Sequence, residues 1–211
     1  MEFSQMLGES FEYTKECLVG KWMKWLLLII STIIFPLIYG YVLRIYKGTT
    51  PAPELEDWGG LFIDGIKLII VGIIYALPIL IVAFIMGFGA AASASMGGDM
   101  AAIGAMGVGL IVILILAIII GLIVPIAYIR FARTDSFGEA FNFSAIIGHI
   151  GKIGWVNYII ALIILAVVIG IIEFVLMMIP FIGWLILFIL MPAFVIFAGR
   201  YMSLLYDSTS A

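Results

Sequence analysis

Residues 110–129 read LIVILILAIIIGLIVPIAYI, twenty positions without a charge, and Arg130 follows at once. As an α-helix rising about 1.5 Å per residue, a run of this length crosses a hydrocarbon core about 30 Å thick. A helix also satisfies every backbone polar group from within, which lipid requires. The run is therefore read as a transmembrane helix, and the arginine after it marks where the helix leaves the bilayer. Pro125 precedes Arg133 by eight residues, and the same spacing recurs at Pro36 and Arg44 and at Pro192 and Arg200. Three of the chain's four arginines fall in that register. It predicts three helices ending on one face of the membrane.

The rest of the composition agrees. Of 211 residues 65% are hydrophobic and 11% charged, far more apolar surface than a soluble domain of this size can bury. One cysteine (Cys17) and one histidine (His149) exclude an internal disulfide and a His/Cys metal centre. A net charge of −3, with no basic tract, gives nucleic acid nothing to bind. Residues 1–20 carry Glu2, Glu9, Glu12 and Glu16 and no apolar core, so they do not read as a cleavable signal.

Outward from that helix the chain divides into further spans and surface segments. Phe3, Leu7, Phe11 and Leu18, with Met6 beside them, recur at helical spacing and predict an interfacial helix over 1–20. Trp22–Leu43 reads as the first span, with Trp22 and Trp25 in an aromatic belt. Gly48–Gly60 is polar, after which Leu55, Trp58, Leu61, Phe62 and Ile66 predict a short interfacial helix. A second span follows over about 67–89, with Pro78 inside. Gly87–Gly109 is almost entirely Gly, Ala, Ser and Met, with Asp99 its only charge. It reads either as a loop or as helix ends in small-residue contact. Ser136-Phe137-Gly138-Glu139 has the form of a capping box, opening a second interfacial helix with Phe137, Phe141 and Ala145 on one face. A fourth span runs from Lys152 to about Met178, a turn over 179–183 follows, and a fifth occupies about 184–200.

The expected fold is all-α and integral to the membrane: one transmembrane domain over 1–211, about five spans, and amphipathic interfacial helices. The order of span, interfacial helix, lysine and span occurs twice, over about 22–90 and 112–178, as a parallel internal repeat. In it Arg133 matches Arg44, Tyr128 matches Tyr39 and Lys152 roughly matches Lys67. Five spans gather Arg44, Lys47, Lys67, Arg130, Arg133, Lys152 and Arg200 on one side and Lys15, Lys21 and Lys24 on the other. Seven against three places the C-terminus in the cytoplasm and the N-terminus outside a plasma membrane. The competing arrangement breaks the first span at Pro36 into a re-entrant hairpin, leaving four spans and a cytoplasmic N-terminal helix.

Gly40-Tyr41-Val42-Leu43-Arg44-Ile45 is followed by Pro53-Glu54-Leu55-Glu56-Asp57-Trp58 and then by Leu61-Phe62-Ile63-Asp64-Gly65-Ile66-Lys67. In this order the chain resembles the largely archaeal membrane proteins grouped as domain of unknown function 4013. That family shows a G-Y-x-L-R helix end, an acidic stretch with D-W, and an L-F-x-D-G-x-K segment. Pro53-Glu54-Leu55, with Ala52 before it, departs from the family's Leu-Pro-Glu order. The distinctive motifs cover about 36–80; the resemblance implies a polytopic membrane protein and no biochemical role.

Few residues are candidates for function. Glu173 lies inside an apolar run, where a carboxylate is costly unless paired, protonated or hydrated. The bland reading is a side chain that snorkels to the nearby interface. Asp64 and Lys67, three apart, suit an ion pair fixing a helix entry angle. Glu54, Glu56 and Asp57 read as a solvated loop. Ala145, Gly148, Gly151 and Gly154 fall every third residue around His149, as a close-approach face or as a joint. His149, with no second histidine, reads as interfacial. Asn157 and Tyr158 suit a hydrogen bond to a neighbouring helix. No catalytic triad, carboxylate pair, P-loop or dinucleotide fingerprint is present, so no enzyme, cofactor or metal is expected. The expected role is a non-enzymatic organiser or assembly accessory, in contact with membrane lipids and self-associating or pairing with other chains through small-residue faces. A small transporter or channel with Glu173 on its pathway is the alternative.

Overall fold

The computed structural model describes residues 2–95 and 98–209, and every regular element among them is an α-helix. The elements are α1 (Phe3–Leu18), α2 (Trp22–Ile33), α3 (Phe35–Tyr46), α4 (Trp58–Ser95), α5 (Asp99–Thr134), α6 (Phe137–Ala140), α7 (Phe143–Ile153), α8 (Trp155–Met177) and α9 (Gly183–Asp207). Four of them are long and apolar enough to cross a membrane: α4, α5, α8 and α9. The protein is a multi-pass, all-α integral membrane protein.

The first expected span is not straight. Trp22–Ile33 and Phe35–Tyr46 meet at 119°, with Ile34 in a non-helical conformation between them. Twelve residues make a helix about 18 Å long, so neither arm crosses a core about 30 Å thick. Pro36 is the physical reason: it has no N–H for the preceding turn and suits only the first turn of a new helix. The pair is a fifth span only if both arms are counted together.

Contacts tie α1 and α2 to the loop before α4 and to α9. Tyr13 Oη donates to the carbonyl of Thr49 at 2.9 Å, and the Arg200 guanidinium lies over the Tyr13 ring. Lys24, almost fully buried, and Lys21 both reach Glu54, at 2.9 and 3.9 Å. Lys21 and Lys24 therefore lie beside Glu54, and Tyr13 of α1 lies beside Arg200 of α9.

The chain packs as two compact units, Met1–Ile69 with Ile126–Ala211, and Ile70–Pro125. All ten lysines and arginines belong to the first. Its core joins Tyr13 and Cys17 of α1, Leu28 of α2, Leu37, Tyr41 and Ile45 of α3, Leu61 of α4 and Ile196 of α9. The face of α1 turned to this core is Met6, Ser10, Tyr13, Thr14 and Cys17, and Phe11 stays exposed. In the second unit Met86 fills the space beside Gly109, whereas Gly87, Gly89, Gly104 and Gly107 have no neighbour where a side chain would begin.

Three local expectations change. No separate interfacial helix precedes the second span: residues 51–57 are irregular, and α4 runs unbroken from Trp58. Pro51 and Pro53 disfavour an earlier start, and Asp57 Oδ1 accepts from Gly60 N at 3.0 Å as an N-cap. The Gly/Ala/Met stretch is mostly helical, since α4 continues to Ser95 and α5 begins at Asp99. The capping box does not form. Ser136 makes no cap bond, Glu139 turns to Arg130 and Asn142, and Asn142 instead caps α7 by accepting from Ala145 N at 3.1 Å. A carboxylate–guanidinium bond is stronger than a bond to a backbone N–H. Gly154, at φ +91°, is the joint between α7 and α8, and Gly148 and Gly151 face open space.

Candidate functional site

The ordered polar chemistry of the first unit sits at the ends of α3, α5 and α9 and the starts of α4 and α7. Arg44 Nη1 donates to Glu56 O at 2.9 Å, with Asp57 Oδ2 at 3.7 Å. Arg133 donates through Nε to Tyr46 O at 2.7 Å and through Nη2 to Ser203 Oγ at 3.0 Å and Asp207 Oδ2 at 2.7 Å. It thus ties the end of α3 to that of α9. Arg130 pairs with Glu139. The bond from Arg130, reinforced by Asn142, holds the Glu139 carboxyl below its ordinary range.

The expected Asp64–Lys67 pair forms at 3.6 Å, and Lys67 also reaches Asp135 at 3.7 Å. One lysine therefore links the head of α4 to the end of α5, a positioning role. Each such partly exposed pair contributes about 0–1 kcal/mol, so the network sets geometry more than stability.

His149 stacks on Tyr206, ring centres 3.8 Å apart, with Nε2 3.0 Å from the Tyr206 carbonyl. Burial lowers its pKa and favours the neutral ring. Among the described residues no cluster of three or more histidine, cysteine, aspartate or glutamate side chains is arranged to hold a metal ion.

Beneath these groups Tyr41 Oη donates to Pro53 O at 2.9 Å and lies 3.1 Å from Cys17 Sγ. Tyr13 is raised to about 12, chiefly by burial, against the pull of Arg200. These partners, with Lys24–Glu54 and Arg130–Glu139, join residues 9 or more positions apart in sequence, and no local spacing announces them.

Glu173 is remote from this network. It is exposed near the end of α8, about 6 Å of helix before Met177. It makes no hydrogen bond or ion pair among the described residues. It borders an open groove of about 400 Å³ between α8 and α9, whose other walls are apolar, including Ile169, Leu187, Met191 and Phe194.

The register of prolines and arginines acquires a partial explanation. Pro36 starts α3, whereas Pro125 and Pro192 lie inside α5 and α9. Arg44 and Arg133 bind carboxylates and backbone carbonyls; Arg200 meets an aromatic ring. The family motif gathers at one crossing. A side chain on Gly40 would collide with the Leu61 carbonyl, and one on Gly65 with that of Pro36.

Neither the curated proteins nor the solved structures contain a match to this chain. Residues 25–181 match a family described as protein of unknown function DUF4013, and the chain belongs to that family.

Proposed function

We propose that the protein is a non-enzymatic organiser or assembly accessory of the membrane, acting through helix faces that its own fold leaves uncovered. The observation that carries this is the low burial of its spans. Only 17% of the most apolar window of Trp58–Ser93, and 11% of that of Met106–Thr134, is buried within the chain. Without a hydrophobic force between helices in lipid, association depends on close packing at small residues. Gly87, Gly89, Gly104 and Gly107 offer such places. The partners are other transmembrane helices, from a second copy or another chain.

The polar end lies in the cytoplasm, with both termini on that side. Support comes from the ten basic residues of the first unit and from the N-terminal lysines meeting Glu54. On this reading the N-terminus is inside rather than outside, and the membrane is the plasma membrane.

A small transporter or channel is the second reading, favoured by the groove that reaches Glu173. Ion and proton flux in proteoliposomes separates the two. The organiser reading expects no flux above protein-free vesicles, together with cysteine cross-links from Gly104→Cys and Gly107→Cys in native membranes. Flux that Glu173→Gln abolishes would overturn it.

A further inference from the structure

We infer that the protein holds an anionic phospholipid, with the phosphate on Arg200 and an acyl chain in the trough between α1, α8 and α9. Three arginines meet a carboxylate: Arg44 with Asp57, Arg130 with Glu139, Arg133 with Asp207. Arg200 meets none among the described residues. Its guanidinium lies 4.9 Å from the centre of the Tyr13 ring, and its buried Nε has no acceptor. Glu9, Glu12 and Glu16 line the exposed side of α1, and none pairs with it. A guanidinium with unused donors, resting on an aromatic face, is suited to take phosphate oxygens on its terminal nitrogens.

What lies below Arg200 fits the rest of such a molecule. Phe194, Phe197 and Arg200 recur every three residues along α9, so they form one stripe. The two phenylalanines line an apolar cavity of about 190 Å³, closed by Phe11 and Thr14 of α1 and by residues of α8. That cavity shares Ile169 and Phe194 with the groove of about 400 Å³ beside Glu173. The two cavities run along α9 from Phe197 to Leu187, and Arg200 lies one turn beyond Phe197, about 4.5 Å further along the helix. A basic head above an apolar channel between membrane helices matches an anionic lipid in charge and in polarity.

The test is lipid retention by the full-length protein in nanodiscs, read by native mass spectrometry after detergent exchange, with phosphatidylglycerol and phosphatidylcholine as probes. The wild type should retain phosphatidylglycerol and exchange phosphatidylcholine. Arg200→Gln should weaken retention about tenfold to a hundredfold, the loss expected for a charge-assisted bond, and Arg200→Lys should restore part of it. Ala193→Phe fills the trough without touching the guanidinium and should expel the same lipid, so the inference stays testable if Arg200→Gln does not fold. Equal retention of the two lipids by the wild type, or unchanged retention in both Arg200→Gln and Ala193→Phe, would overturn it. Inorganic phosphate bound at millimolar concentration by a wild type that retains no phosphatidylglycerol would show an anion site with no lipid, and would overturn it too.

Discussion

Gly65 of α4 lies so close to the carbonyl of Pro36 in α3 that no side chain fits between the two backbones. Gly40 meets the Leu61 carbonyl in the same way one turn along, so α3 and α4 cross backbone to backbone. Gly65→Ala should therefore destabilise the protein by about 1–3 kcal/mol or more, since backbone and not a flexible side chain must move. Gly59→Ala, on the same helix where an added Cβ meets only Asp57 Oδ1 at an ordinary 3.9 Å, should be neutral or stabilising by up to about 1 kcal/mol. Thermal unfolding of both variants in nanodiscs checks the contrast; equal effects would refute the crossing.

The contacts of Tyr13 with Thr49 and of Lys24 with Glu54 fix a second expectation. With Cys17 replaced by serine, cysteines introduced at Ser4 and Ser208 should be labelled from the same side of the membrane. Labelling from opposite sides would restore a fifth crossing and exclude the re-entrant arrangement of α2 and α3.

Much of the fold was legible because lipid leaves few choices. The runs at 110–129 and 152–178 could only be helices, and Arg130 after the first stands at a polar end, paired with Glu139. What misled was additive reading. Trp22–Leu43 has the hydropathy of a span, but Pro36 breaks it near its middle, and hydropathy carries no direction. Ser136 and Glu139 have the letters of a capping box, yet Arg130, six residues before Ser136, takes the carboxylate. At the candidate site Asp64–Lys67 was readable from helical spacing, whereas Asp135 was not, because only the packed ends of α4 and α5 bring it near. The role of the motif glycines Gly40 and Gly65 at a helix crossing was not legible, because it needs both helices in view.

Acidification should weaken the packing of α7 on α9. Burial beside Tyr206 holds His149 below its ordinary pKa of 6.5, so the unfolded chain takes up the proton first. That contribution is fully present above about 6.5 and falls as pH drops through the lower folded value. Glu139, also lowered, adds stability above the ordinary 4.5 that is lost on further acidification, through its own lower folded pKa. Melting temperature should decline in two stages between pH 7.5 and pH 3, and His149→Phe should remove the upper stage alone. A melting temperature that rises on acidification through that range would contradict both assignments.

Arg133 should be the most sensitive arginine of the polar end. It satisfies the Tyr46 carbonyl, the buried Ser203 hydroxyl and the Asp207 carboxylate, and its guanidinium packs against Gly48. Removing it leaves Ser203 without that donor and releases the end of α3 from α9. Charge-assisted bonds contribute about 1.5–3 kcal/mol each when buried, but this side chain is 28% exposed and solvent screens part of that. Arg133→Ala should thus cost about 2–3 kcal/mol in total, more than Arg44→Ala, whose carboxylate partner is 73% exposed. Arg133→Lys keeps the charge but cannot reach three acceptors at once, so it should recover less than half. A double-mutant cycle with Asp207→Asn isolates the ion pair, and a coupling of about 0.5–1 kcal/mol is expected for contacting groups. Strict additivity of the two substitutions would show that the pair contributes nothing, and that Arg133 acts through Tyr46 and Ser203 alone.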